Sequence, residues 1–151
     1  MHPLPHRYIV SASLAEGHEI ALTTDDAPPL RTAAPREFDG PGGRWSPETL
    51  LVGAVADCFA ITFRGSARAS KLAWDSFACR VDGTLDRVDG AMRFTHIDIH
   101  VELGLPETVG RDLAHRLLEK VKRNCLITNS LNAEIRLHAI IETGVRDSVP
   151  G

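Results

Sequence analysis

Residues 46–70 read SPETLLVGAVADCFAITFRGSARAS, and the fold turns on what this stretch becomes. Ser46 is a good N-cap because its side-chain oxygen can accept from the free backbone N–H groups of a first helical turn. Pro47 suits the first helical position, where no N–H is needed. The spacing predicts a helix from here to Ser70. Leu50, Leu51, Val52, Ala54, Val55, Ala56, Phe59, Ile61 and Phe63 cover every helical direction, the pattern of a helix covered on all sides. Asp57 alone interrupts the apolar run. The thiol at its centre, Cys58, then has two readings: a small buried hydrophobe, or a nucleophile in a shaped pocket.

On the N-terminal side, residues 7–14 and 18–24 are rich in β-branched residues and separated by Glu16-Gly17, which predicts a β-hairpin. A short third strand is expected at 30–33, after the breaker Pro28-Pro29. PREFDGPGGR (35–44) is dense in Gly and Pro and predicts a loop leading to the helix. On the C-terminal side, 76–88 and 92–103 form the strongest hairpin signal, joined by Asp89-Gly90. Ile97, Ile99, Val101 and Leu103 alternate there with His96, Asp98, His100 and Glu102, so one face is apolar and the other polar. Residues 107–123 predict an amphipathic helix with Val109, Leu113, Leu117 and Val121 on its apolar face. Residues 124–132 are a connection, 133–143 a final strand, and 144–151 a frayed tail. The plan is α+β. A helix apolar all round needs more cover than one modest sheet and one other helix, so a second copy of the chain is the expected source of it.

At 151 residues the chain is expected to be a single domain spanning 1–151. Its net charge of −3, with both signs interspersed, argues against nucleic acid and membrane surfaces as partners. The opening MHPLPHRYIV lacks a basic region followed by a long apolar run, so no signal peptide is expected and the cytoplasm is the expected location. Three cysteines in such a chain do not make a disulfide framework; they are catalytic, metal-binding or inert thiols. Cys79 reads as an inert strand thiol. His96, Asp98 and His100 share a strand face, but alternate strand positions lie about 6.6–6.8 Å apart and such faces are commonly solvated, so no metal site is expected.

The run SPETLLVGAVADCF (46–59) resembles the helix motif of the OsmC/Ohr family, which reads Asn/Ser-Pro-Glu, then apolar and small residues, then Cys-Phe or Cys-Leu. Cys58 lies ten residues after Glu48, as in that pattern, and NCLITNSL (124–131) resembles the family's second cysteine motif. Leu126 stands where the family usually has proline. The first hairpin here reads AEGHEI and lacks the arginine of the Ohr branch. The surviving candidate is Arg36 in PREFDG, similar to the family's Arg-Phe-Glu-Gly run with Glu37 inserted.

The resemblance implies an OsmC-like fold, with antiparallel sheets around a long central helix, in an intertwined homodimer. It further implies a thiol peroxidase that reduces organic hydroperoxides and, less well, hydrogen peroxide. No cofactor is implied beyond an external dithiol or lipoyl-type reductant. Attack on a peroxide needs a thiolate, and an unperturbed thiol is only a few per cent ionised at pH 7. A guanidinium about 4–6 Å away lowers such a pKa by about 1–3 units. Cys58 is thus the expected peroxidatic residue, Cys125 the resolving one, Arg36 the activator, and Glu48 the carboxylate that holds the arginine. Phe59 and Phe63 are expected to line the substrate pocket. Ten helical residues place Glu48 about 15 Å along and about 80° around from Cys58, so the pair cannot meet within one helix. Antiparallel helices of two subunits would bring them together. The alternative is a family member that keeps the fold with weak or no peroxidase activity and binds small molecules.

Overall fold

The computed structural model describes residues 1–14, 17 and 19–144; the tail expected to fray lies outside these beyond Gly144. The chain divides into two compact units, Met1–Leu51 and Val52–Gly151. Each contains a three-stranded sheet. The long helix α1, Pro47–Ser70, starts in the first and continues through the second. The architecture is α+β.

In the first unit β1 (Ser11–Leu14), β2 (Ile20–Thr24) and β3 (Ala27–Thr32) form an antiparallel sheet in that order. The first strand is shorter than predicted because β2 ends at Thr24, one residue past the Ser11↔Thr23 pair that starts the ladder, and residues 7–10 run on without a ladder partner. Only the Thr24 hydroxyl reaches back, donating to the Ile9 carbonyl at 3.0 Å. The third strand begins earlier than predicted and contains both Pro28 and Pro29. It lies at the sheet edge, and its pairing with β2 shifts register beside the two prolines, between Leu22 and Thr24, so their missing N–H groups fall where the ladder is already interrupted. A 3₁₀ turn, Arg36–Phe38, opens the Gly-rich loop.

Ser46 caps α1. Its Oγ accepts from the Thr49 N–H at 3.2 Å, and Thr49 Oγ1 in turn accepts from the Ser46 N–H at 2.9 Å, a reciprocal cap that satisfies two otherwise orphaned donors.

In the second unit β4 (Ser76–Val88) and β5 (Ala91–Leu105) pair antiparallel across Asp89-Gly90. Both turn residues have positive φ, 50° and 80°, as a type I′ hairpin turn requires. The last strand, β6 (Glu134–Thr143), runs parallel to β5, so this sheet is mixed rather than antiparallel throughout. Ile97, Ile99, Val101 and Leu103 are fully buried, as the alternation predicts. A helix α2, Arg111–Asn124, starts four residues later than predicted, because the Val109 N–H closes a turn on the Pro106 carbonyl and Gly110 serves as N-cap. Its buried face is Ala114, Leu117, Leu118 and Val121, while Leu113 is 46 % exposed. The predicted face is therefore rotated. A four-residue helix α3, Leu126–Asn129, fills the expected connection.

Within one chain α1 buries only Val55, Phe59, Phe63 and Ala67, a single stripe. Phe63 stacks on Phe77 with centroids 4.3 Å apart and meets Trp74 edge-on. Gly83 lets the helix approach β4, since a Cβ there would fall 2.6 Å from Val52. The other apolar residues of the helix are half-buried or, like Ile61 at 54 %, exposed. Complete burial is not reached because one sheet and α2 supply one side of cover.

Candidate active site

Cys58 lies at the middle of α1, half-buried, and Cys125 ends α2 and caps α3, fully buried. The fold brings their thiols close enough, across 67 residues of sequence, for each to influence the ionisation of the other. The turn that holds Cys125 is closed on its own carbonyl, which accepts from Thr128 Oγ1 at 3.1 Å and from the Asn129 N–H at 3.1 Å. Asn129 Nδ2 also donates to the Arg123 carbonyl at 3.0 Å. That end of α2 is thereby fixed beside the helix carrying Cys58.

The two thiols are tuned in opposite directions. Burial opposes ionisation of Cys58 and is the largest single influence, but the Ile127 N–H, the Cys125 thiol, the Thr62 hydroxyl and the Leu126 N–H together outweigh it and hold the thiol below its ordinary value. Cys125 is raised, first by burial and further by the neighbouring Cys58 charge, against the opposing pull of Thr128. One sulfur is thus disposed to be a thiolate and the other to remain S–H. Cys79, on the core face of β4, is pushed up to about 11 by burial and then by the charge of Cys125. The strand thiol read from sequence as inert therefore stands near the pair but is held protonated.

Sequence reasoning missed Thr62 and the N–H groups at Leu126 and Ile127. The first had a signal, since a residue four positions on lies over Cys58 on a helix surface. The second had a partial one: leucine in place of proline at 126 restores an N–H, and that N–H is among the donors to Cys58. Asp57 is exposed. Phe59 and Phe63 point into the core, 0 % and 1 % exposed, rather than lining an open pocket. Ile61, three positions further along α1, and Leu126, whose backbone N–H acts on the thiol, are exposed apolar residues.

Glu48, in the first turn of α1, has a buried Oε2 with no hydrogen-bond partner among the described residues. No ion pair joins it to Arg36, whose guanidinium lies against Gly42 so closely that a side chain there would collide with it. The other arginines of the loop region are engaged. Glu19 accepts from Arg44 Nε and Nη2 at 3.0 and 2.7 Å and lies 3.6 Å from Arg31, and Arg44 holds its carboxyl below the usual range. Among the described residues Arg36 makes no ion pair.

His96, Asp98 and His100 occupy the outer face of the second sheet in an ion-pair network. Asp98 accepts from Arg136 at 2.8 and 2.9 Å and from His138 at 2.8 Å. His100 pairs with Asp82 at 3.2 Å and stacks on His138 at 4.8 Å, and His96 pairs with Glu134 at 3.5 Å. Among the described residues no group of three metal-ligating side chains converges.

Residues 40–139 match the OsmC-like protein family. An uncharacterized protein of Bacillus subtilis, YmaD, is 29 % identical over 115 residues, covering 73 % of this chain and 77 % of that protein. An OsmC-like protein of unknown function from Vibrio cholerae has a similar structure, with a TM-score of 0.82 at 14 % identity, over 90 % of this chain and 100 % of that one. An organic hydroperoxide resistance protein OsmC from Legionella pneumophila superposes with a TM-score of 0.73 at 20 % identity, over 93 % and 99 %. The matched segment holds Glu48, Cys58 and Cys125 together and spans most of the chain. The protein is a member of the OsmC-like family.

Proposed function

We propose that this protein reduces organic hydroperoxides through Cys58 and Cys125. The observation that carries the reading is the opposite tuning of two neighbouring thiols. The Cys58 thiolate attacks one peroxide oxygen, the O–O bond breaks, and the alkoxide leaves as an alcohol after taking a proton, with Cys58 as sulfenic acid. The Cys125 thiol then attacks that sulfur, forming the disulfide and releasing water. An external dithiol of lipoyl type returns both thiols. The exposed Ile61 and Leu126 offer apolar surface to the organic tail, and burial at about 25 cal/mol per Å² favours such a tail over hydrogen peroxide. Titration after one equivalent of cumene hydroperoxide tests this. Free thiols fall from three per chain to one, and peptide mapping finds Cys58 joined to Cys125. No thiol loss, or Cys58 joined to Cys79, overturns it.

The working unit in this reading is a homodimer. The open face of α1 and the unpartnered Glu48 Oε2 support it, since a second copy supplies both cover and a donor. Arg36 is the candidate donor, and the helices of two subunits cross so that Glu48 of one approaches Cys58 of the other. Mixing Cys58→Ser with Glu48→Ala subunits restores part of the activity, because each heterodimer holds one intact site. Heterodimers without recovery confine Glu48 to its own subunit.

One observation favours the slower, binding-only reading: none of the groups that pull Cys58 down is a cation. It predicts that thiol loss takes hours rather than seconds after peroxide addition.

A further inference from the structure

The strongest polar contact to Cys58 from its own helix comes from a residue that no motif marks. Thr62 lies four positions further along α1, half-buried, with Oγ1 3.9 Å from Cys58 Sγ. Its setting is unusual for threonine. From Leu50 to Ile61 the only polar side chains are Asp57, which is exposed, and Cys58 itself. A β-branched residue lowers helix propensity. Its hydroxyl commonly settles that by bonding the carbonyl four residues back, but here the hydroxyl reaches the sulfur of that same residue.

A hydroxyl differs from the other donors around this thiol. Its hydrogen rotates, so it accepts from an S–H and donates to a thiolate with no movement of heavy atoms. The backbone N–H groups of Leu126 and Ile127 can only donate. We propose that Thr62 is a positioning residue for Cys58, holding the sulfur on the side of α1 that faces Cys125 and stabilising its thiolate. This rests on Cys58 being the reacting thiol of the proposed function, but it concerns ionisation rather than turnover.

The test therefore reads ionisation. Alkylation of the Cys58 peptide by iodoacetamide is followed by mass spectrometry across pH, in the full-length wild type and in Thr62→Val, Thr62→Ser and Thr62→Ala. Valine keeps the shape and removes the hydroxyl; serine keeps the hydroxyl. In Thr62→Val the inflection moves up by roughly 0.5–1 pH unit, which lowers the alkylation rate at pH 7 by about 3–10-fold. Thr62→Ser stays with the wild type, and the Cys79 profile is unchanged in all. Thr62→Ala repeats the valine result if the valine variant fails to fold. An unmoved inflection in the hydroxyl-free variants, or a shift in serine equal to that in valine, overturns the proposal. A shifted inflection in a protein that consumes no hydroperoxide leaves Thr62 in this role and refutes the peroxidase instead.

Discussion

Two acidic groups in the second unit lose their protons more readily than usual, and they do so by different means. Asp98, on the outer face of β5, is held at about 2 by hydrogen bonds from Arg136 and His138 and by their charge. Cys58, on the helix that packs against the inner side, is lowered against the pull of burial by N–H, S–H and O–H groups without a formal charge. On the wet face a carboxylate can recruit cations cheaply, because water screens whatever is left unpaired. Beside the core a lone guanidinium would bring a large desolvation penalty, while oriented neutral dipoles bring none of comparable size. The fold ionises an acid with charges outside and with dipoles inside.

The largest test of this contrast is functional. Cys58→Ser abolishes hydroperoxide-dependent thiol loss altogether, whereas Asp98→Asn leaves its rate unchanged, measured by thiol titration after peroxide addition. If both lose it equally, the outer network belongs to the site. Next in size is Cys125→Ala, which removes both the S–H donor and the resolving thiol. Cys58 then stops at a sulfenic acid that dimedone traps, and its alkylation inflection rises by roughly one unit, slowing alkylation at pH 7 about tenfold.

A smaller effect is expected from Leu126→Pro. Position 126 is the first residue of α3, where proline is well accommodated, so the variant folds and loses one N–H from Cys58. Its inflection rises by a few tenths of a unit. A larger shift than that of Cys125→Ala would reverse the ranking of the donors.

The pH profiles of the two regions rise in the same direction but differ in range and in salt response. Thiolate reactivity rises with pH and levels off once pH passes the lowered Cys58 value, well before Cys79, whose rise continues to about 11. The folded-state value of Asp98 lies below that of an unfolded carboxyl near 3.9, so its contribution to stability is present above about pH 4 and is lost as pH falls towards about 2. Acid unfolding of Asp98→Asn lacks that limb. The smallest expected effect is salt: at about 1 M the acid limb of the wild type weakens, while the Cys58 inflection stays in place. A Cys58 inflection that moves with salt would reveal a cation near the thiol that one chain does not supply, such as Arg36 of a second copy.

These tests bear on how much the sequence disclosed. The helix at 46–70 and the hairpin at 76–103 were legible because their signals are local: a cap followed by proline, strict alternation, and Asp-Gly at a turn whose residues both have positive φ. The buried face of α2 was not, because periodicity cannot say whether Val109 begins the helix or, as found, closes a turn before it. The contact of Cys58 with Cys125 came from resemblance, since residues so distant in sequence have no periodic relation. The donors at 126 and 127 were hidden for another reason. They are backbone groups, and any residue but proline carries one.

The two prolines in β3 have a consequence for how copies of this chain can add to one another. A sheet with two open edges can accept strands on both sides, and each addition exposes a new edge, so growth has no natural end. Here β3 forms one edge of the first sheet, and because neighbouring strand residues direct their N–H groups to opposite sides, one of Pro28 and Pro29 leaves a gap in its outer row of donors. The chain crossing at Trp45 forms a bridge with Thr32 near the other end of the strand. Among the described residues of this sheet, β1 is the edge strand without proline. The two edges are unequal, and β1 is the better suited to take a further strand.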